Sequence, residues 1–490
     1  MGPAADSSRS LWSLAAGPAL AAVVAVAPLP GLEPAAQMTA AIAAWMATWW
    51  MTEAVPIAVT SLLPLVAFPA TGVLSSPAAA APYANHLIFL FMGGFFIAKA
   101  MQRWGLHRRL ALRIVAAVGT GPRRLVLGVM LATALLSMWI PNTAVAVMML
   151  PIGVALIDEL GRTPGSSGGA GPLGTAMMLG IAYSASIGGV ATLIGTPPNL
   201  VFAGMVESLL GGQIDFIAWM GVGVPVTAVL LPTAWYYLTH IAFPVPPRMA
   251  LGRDVMREHL RALGPMGRGE KAAAAIFGCT AVALVLRTEK QVGTLTIPGL
   301  NTFLPEVSDA TIVMAGAIAA FCVPLSLRPV EFTLDWKHGR EIRWGILLLF
   351  GGGLSLAEAF QASGLSAWIT GGVIYLEALP VWLIVAMSAT LIIFLTELTS
   401  NTATATLVMP VYASAAVGLG IHPYIMMAPA ALAASMAFML PVATPPNAIV
   451  FGSGMVTIRQ MARAGFVLNL VSIILTTLAA LLLVPIFLID

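Results

Sequence analysis

The chain has 490 residues, of which 59% are hydrophobic and only 9% charged. Soluble domains carry roughly 25% charged residues, so a soluble fold is excluded and a polytopic membrane protein is implied. A net charge of +3 offers no basic surface for nucleic acid. The two cysteines, Cys279 and Cys322, lie in apolar runs and form neither a disulfide framework nor a metal site.

Spans need about 20 apolar residues, which gives an all-α chain of about eleven crossings. The first is expected near 11–30, within an N-terminal segment 1–37; Pro28 and Pro30 also fit a signal peptide, but a first span is the better reading. Spans near 38–52 and 56–74 follow, and Trp49-Trp50 reads as an interfacial anchor. A fourth span starts at Leu87 and runs into Lys99, Arg103, Arg108, Arg109 and Arg113, with Arg123 and Arg124 close behind. Two short apolar arms then meet at Pro141-Asn142-Thr143, and each is short for a crossing, so 123–158 is expected to be a re-entrant hairpin. After a Gly/Ser-rich loop at 165–172, the segment 173–210 is interrupted at Gly195-Thr196-Pro197-Pro198-Asn199, and a further span covers 217–243.

The polar stretch 244–271 carries Arg248, Arg253, Arg257, Arg261, Arg268 and Lys271 and reads as a cytoplasmic linker. Spans near 272–287 and 309–326 precede the basic loop Arg328–Arg343, and another span begins at Trp344. A second hairpin is expected at 380–416, with Ser400-Asn401-Thr402 at its turn. The segment 424–455 breaks at Ala443-Thr444-Pro445-Pro446-Asn447, and a last span follows Arg459 and Arg463. With Arg9 and the N-terminus in the cytoplasm, every basic stretch falls inside and the C-terminus outside.

An offset of 259 residues lays Phe91, Gly93, Gly94, Gln102, Gly105, Asn142, Thr143 and Pro151 on Phe350, Gly352, Gly353, Gln361, Gly364, Asn401, Thr402 and Pro410. Beyond the Gly/Ser-rich loop the offset becomes 248, pairing Thr196-Pro197-Pro198-Asn199 with Thr444-Pro445-Pro446-Asn447. The chain is therefore a repeat, 38–243 and 272–490, with an odd number of crossings per unit inverting the second copy. Inverted repeats with interrupted segments at corresponding positions point to a secondary transporter with a midplane site.

Polar residues at that depth are tolerated only in protein or around a cavity. Carbonyls at a half-helix C-terminus, helped by an Asn oxygen, suit a hard cation, and amides at an N-terminus suit an anion. No Lys or Arg lies in these motifs, so an anion would depend on neutral donors, dipoles and neighbouring cations. Taken singly, Ser, Thr and Asn within spans serve helix packing and Pro-Pro only a kink; four breaks in symmetric positions favour a site. Glu397 either lines it or is a structural carboxylate, and the structural role is favoured. Gly93-Gly94 and Gly351-Gly352-Gly353 read as close helix packing, since no Walker-type Lys follows. The histidines show no metal-ligand spacing. An intramembrane enzyme would need G-x-S-x-G or H-E-x-x-H, neither of which occurs, and a channel fits broken helices less well than an occluded site does.

These motifs, with Met51-Thr52-Glu53-Ala54-Val55-Pro56 near the start, resemble the divalent-anion/sodium symporter family over nearly the whole chain. The resemblance implies an elevator-type homodimer in a bacterial inner membrane that couples Na⁺ to a small divalent anion. A C4-dicarboxylate such as succinate is the expected substrate; sulfate, citrate or sodium-independent exchange are the alternatives. It implies substrate contacts from Asn142, Thr143, Thr196, Pro197, Ser400, Asn401, Thr402, Thr444 and Pro445. One sodium site would use Ser137, the Pro141 carbonyl, Asn142 and Gly195, and its mate Thr396, Thr399, Asn401 and Ala443. The family's first tip reads Ser-Asn-Thr, whereas here Pro141 replaces the Ser and removes a hydroxyl and an N–H.

Overall fold

The computed structural model describes residues 11–119, 121–161, 171–246, 260–292, 295–372 and 377–489. Arg9, most of the Gly/Ser-rich loop, and Arg248, Arg253 and Arg257 of the linker lie outside them. The chain is a mostly helical, multi-pass membrane protein. Among the described residues, five helices are long and apolar enough to cross a bilayer unaided: Ser76–Arg103, Asn142–Glu159, Phe216–Ala242, Trp344–Ala362 and Ile458–Ile489. Others are shorter, including Leu11–Val26, Asp309–Cys322, Val381–Thr396 and Pro423–Ala434.

Both hairpins are present. The first has arms Pro122–Ser137 and Asn142–Gly161, the second Val381–Thr396 and Asn401–Gly418. The first arm of each has 16 residues, about 24 Å and less than the roughly 30 Å of hydrocarbon. The second arms have 20 and 18 residues, and Asn142–Glu159 is long enough to cross, so the expectation of two short arms holds only for the first arm of each pair. Both interrupted helices are also present: Pro172–Gly189 resumes at Pro197–Leu210, and Pro423–Ala434 at Pro445–Phe451.

The structure corrects several expectations. The breaks begin well before the prolines, which start the second half-helix at its first two positions, where a missing N–H costs nothing. The span expected at 56–74 is two short helices, Ile57–Thr60 and Pro64–Thr71. The span expected to reach 326 ends at Cys322, and a β-hairpin, Pro324–Leu327 with Val330–Phe332, follows it. A second small β-hairpin pairs Lys290–Val292 with Leu295–Ile297. Trp50 is no interfacial anchor: it is 1% exposed and its indole N–H donates to Ser61 Oγ at 3.2 Å. Trp49 donates to the Leu14 carbonyl, tying the first two helices together.

The glycine runs do pack closely. A β-carbon at Gly352 would stand 2.3 Å from the Ser61 carbonyl, and one at Gly93 3.1 Å from Val313 backbone.

Charged contacts collect on two faces. On one, Lys99 pairs with Glu341 at 2.7 Å, Arg103 with Glu331 and Asp335 at 3.1 Å, and buried Arg109 with Glu270. Arg123 donates to Val245 O on this face. On the other, Glu207 meets Asn85 and His86, Gln361 donates to Leu209 O, and Arg287 bridges Asp215 and Asp309.

Candidate functional site

The hairpin tips and the two breaks meet at one cavity of about 1050 Å³. Pro141, Asn142, Thr143, Gly195, Thr196, Pro197, Thr399, Ser400, Asn401, Thr402, Ala443, Thr444 and Pro445 all line it. Asn142 and Thr143 share this wall with Asn401 and Thr402, 259 positions later in the chain. Of the predicted residues, only Ser137 and Thr396 do not line the cavity; both are fully buried behind it.

Four helices begin at the cavity wall, at Asn142, Pro197, Asn401 and Pro445. At the two tips the first N–H groups lack a helical acceptor and the N-terminus carries partial positive charge. Each break instead starts with two prolines that have no N–H, and the following Asn199 and Asn447 N–H groups already donate to Thr196 O and Thr444 Oγ1. The two tip N-termini thus offer N–H donors to the cavity without a lysine or arginine in the motifs, which suits the oxygens of an anion.

The opposite polarity lies just behind. Helices end at Ser137, Gly189, Thr396 and Ala434, bringing carbonyl oxygens beneath the two asparagines. The Asn142 amide oxygen stands 2.6 Å from Ser137 Oγ, 3.2 Å from Ala185 O and 3.3 Å from Gly195 O. The Ser137 hydroxyl, 2.7 Å from Ala185 O, is the one donor among these four oxygens. Turning the amide nitrogen inward, or a hard cation among the oxygens, would satisfy such a group. In the second half Thr396 Oγ1 donates to Asn401 Oδ1 at 2.6 Å and to Ala434 O at 3.1 Å. The same chemistry is built twice.

Glycine makes the first cluster possible. A β-carbon at Gly189 would stand 2.5 Å from the Asn142 amide oxygen, and one at Gly195 2.3 Å from the Gly189 carbonyl. The matching positions in the second half are Ala437 and Ala443, so that cluster tolerates methyl groups.

The unwound segments are held by buried amides. Asn199 Nδ2 donates to the carbonyls of Gly189, Val190 and Thr192, and Asn447 Nδ2 to those of Ala437 and Leu440. Each asparagine of a Thr-Pro-Pro-Asn motif therefore captures carbonyls seven to ten residues upstream, which is why helix ends so far before proline.

Each tip is also tied to its break. In the first half Thr192 Oγ1 donates to the Met138 carbonyl at 2.5 Å. In the second the corresponding tip residue is Glu397, 3% exposed and outside the cavity wall. Its carboxylate accepts from the N–H groups of Phe438, Met439 and Leu440 and from Asn469 Nδ2, at 2.7–3.1 Å. Glu397 is a structural carboxylate.

Two expected ligands are differently engaged. The Pro141 carbonyl accepts the helical N–H groups of Ala144 at 2.8 Å and Val145 at 3.2 Å, and Ala185 supplies the carbonyl near Asn142 instead. The Thr399 hydroxyl donates to Leu395 O and meets Thr404 Oγ1 at 2.6 Å.

Sequence reasoning missed Ala185 and Ala434, whose backbone contacts leave no sequence signal, and Asn469, a lone amide in an apolar span that its depth could have flagged. It also missed two charged groups on the cavity wall. Arg343, just before the helix Trp344–Ala362, contributes a cation, and Glu53 an acid, held in a left-handed conformation at φ 47°.

A polar cavity framed by two hairpin tips and two unwound segments, deep in an apolar bundle, is the architecture of a membrane transporter. Solved structures of similar fold are the YdaH transporter of Alcanivorax borkumensis (TM-score 0.54, 12% identity, 96% of both chains) and MtrF of Neisseria gonorrhoeae (TM-score 0.56, 12% identity, 94% of this chain and 97% of that one). The family model described as the sodium:sulfate symporter transmembrane region matches residues 8–489. The chain is 42% identical over 452 residues to the sodium-dependent dicarboxylate transporter SdcS of Staphylococcus saprophyticus, covering 91% of this chain and 85% of the relative. It is 41% identical over 453 residues to SdcS of Staphylococcus aureus strain MRSA252, covering 91% and 86%. The chain belongs to the sodium:sulfate symporter family.

Proposed function

We propose that this protein couples sodium to the uptake of a small divalent anion, a C4-dicarboxylate such as succinate. The observation that carries this reading is the layout of the two tips: the helix N-termini at Asn142 and Asn401 face one cavity, and an oxygen cluster lies under the asparagine of each tip. The names of the staphylococcal relatives support sodium and dicarboxylate as the pair.

In this reading the dianion lies between Asn142, Thr143, Thr196, Pro197, Ser400, Asn401, Thr402, Thr444 and Pro445. One sodium is held by Ser137, Asn142, Gly195 and the Ala185 carbonyl, the other by Thr396, Asn401, Ala443 and the Ala434 carbonyl. Two negative charges cannot enter a low-dielectric site cheaply, and an inside-negative potential opposes each by about 2.3 kcal/mol per 100 mV. Cations bound just behind the anion offset both costs. Arg343 draws the dianion toward the mouth.

The matched contacts of Asn142 and Asn401, and of Asn199 and Asn447, support an inverted repeat of units 38–243 and 272–490. About eleven crossings, an N-terminus inside and a C-terminus outside then follow from the basic face lying in the cytoplasm. The cavity reaches Arg343 beside the basic loop, which supports a cytoplasm-open state. Exchange of access by an elevator movement within a homodimer completes the reading.

The test is thermal unfolding of the purified protein with succinate, sulfate and citrate, each with sodium or choline. Succinate stabilisation that needs sodium is expected. Stabilisation by sulfate alone would move the substrate assignment, and stabilisation independent of sodium would remove the coupling.

A further inference from the structure

A second cavity, of about 340 Å³, lies beside the first hairpin, away from the transport site. Its walls are the short helix Leu106–Val118 and the second arm of the hairpin, which contribute Leu112, Met148, Pro151, Ile152 and Leu156. The one polar side chain on the wall is Arg108. The cavity therefore joins an apolar trough to a single cation.

The two neighbouring arginines of the helix are used differently. Arg109 is buried against Glu270 and donates to the Gly264 carbonyl at 2.8 Å and the Leu263 carbonyl at 3.2 Å, fixing the helix to its neighbour. Arg108 is exposed and pairs with no acidic group among the described residues. On the second arm, Pro151 lacks the N–H that would bond the Val147 carbonyl, and both residues are exposed. This helix follows directly on the Lys99 and Arg103 ion pairs of the basic face.

We propose that the trough binds one acyl chain of an anionic phospholipid, with Arg108 on its phosphate. Three features select that occupant. An apolar trough on a membrane-embedded wall is reached by acyl chains. A guanidinium at its edge, with no acidic partner among the described residues, complements a phosphate, and a net-anionic headgroup brings no trimethylammonium to oppose it. The basic face is the one expected to meet the anionic leaflet, where basic pockets between helices hold such headgroups. The lipid would touch the arm that begins at Asn142 and Thr143, so bilayer composition would set how freely that tip moves.

The experiment titrates the full-length protein in detergent with phosphatidylglycerol or phosphatidylcholine of matched chains, reading binding by native mass spectrometry and stability by thermal unfolding. Phosphatidylglycerol is expected to bind more tightly than phosphatidylcholine. Arg108→Gln should weaken it about fivefold, the worth of one basic contact near a membrane surface. Ala155→Trp, which fills the trough from the same wall, should remove binding of both lipids, and Arg113→Gln, on the same helix outside the trough, should leave the lipid affinity unchanged. Each variant is compared at equal lipid-free unfolding temperature and gel-filtration profile, so a folding defect is seen separately. Unaltered phosphatidylglycerol binding in both Arg108→Gln and Ala155→Trp would overturn the proposal. So would an equal loss in Arg113→Gln, or glycerol phosphate binding as well as the intact lipid.

Discussion

Replacing Glu397 by Gln keeps the side chain's shape and exchanges one carboxylate oxygen for an amide NH₂. In the native protein Oε1 accepts from Phe438 N at 2.7 Å, Met439 N at 2.9 Å and Asn469 Nδ2 at 2.7 Å, while Oε2 accepts from Met439 N and Leu440 N at 3.1 Å. The amide oxygen can keep the first three, but the nitrogen then faces the Leu440 N–H, donor against donor. A buried donor left unpaired costs about 1–3 kcal/mol. The three surviving bonds lose their charge assistance, about 0.5–1 kcal/mol each. The sum, about 2.5–6 kcal/mol, is a large part of the 5–15 kcal/mol that holds a typical domain together. It falls on the unwound stretch that presents Thr444 and Pro445 to the cavity. Glu397→Gln should therefore lower the unfolding temperature by several degrees and abolish uptake while the protein still inserts. Asn469→Ala, which removes one of the bonds, should show a smaller loss of the same kind. An unfolding temperature and uptake both at the native level in Glu397→Gln would refute the view that this carboxylate holds the break.

Asn142→Ala and Asn401→Ala should each abolish sodium-dependent uptake in proteoliposomes without preventing membrane insertion; near-normal uptake in both would mean the site is misplaced. Gly195→Ala puts a methyl 2.3 Å from the Gly189 carbonyl and should cost about 1–3 kcal/mol of stability and raise the sodium requirement, whereas Ala443→Gly in the second half should be mild in a sodium titration. Arg343→Gln should raise KM for the dianion roughly threefold to tenfold, the worth of about 1 kcal/mol, with a smaller change in maximal rate. An unchanged KM would remove Arg343 from the path of the substrate.

Much of the architecture could be read from residue order because it depends on local chemistry. The hairpins show as paired apolar arms joined at Pro141-Asn142 and Ser400-Asn401, although the arm from Asn142 is longer than the sequence pattern suggests, and the tips and breaks line one cavity. What could not be read depends on distant side chains. The breaks begin at Gly189 and Ala434 because Asn199 and Asn447 reach back for carbonyls, an interaction that leaves no pattern at the helix end itself. Trp50 has the composition of an interfacial residue, yet Ser61 gives its indole a buried acceptor. Ala185 and Ala434 act through backbone oxygen, to which side-chain identity is silent. Pro141 shows the same limit: its carbonyl accepts the N–H groups of Ala144 and Val145 in the first turn of the helix it precedes.

The most direct test of the account is uptake of labelled succinate into proteoliposomes with sodium or choline outside and an inside-negative potential. Accumulation above equilibrium that requires an inward sodium gradient, saturates, and is lost in Asn401→Ala is the predicted result. Accumulation that proceeds equally in choline would contradict sodium coupling, and linear, unsaturable flux would contradict an occluded site between the two tips.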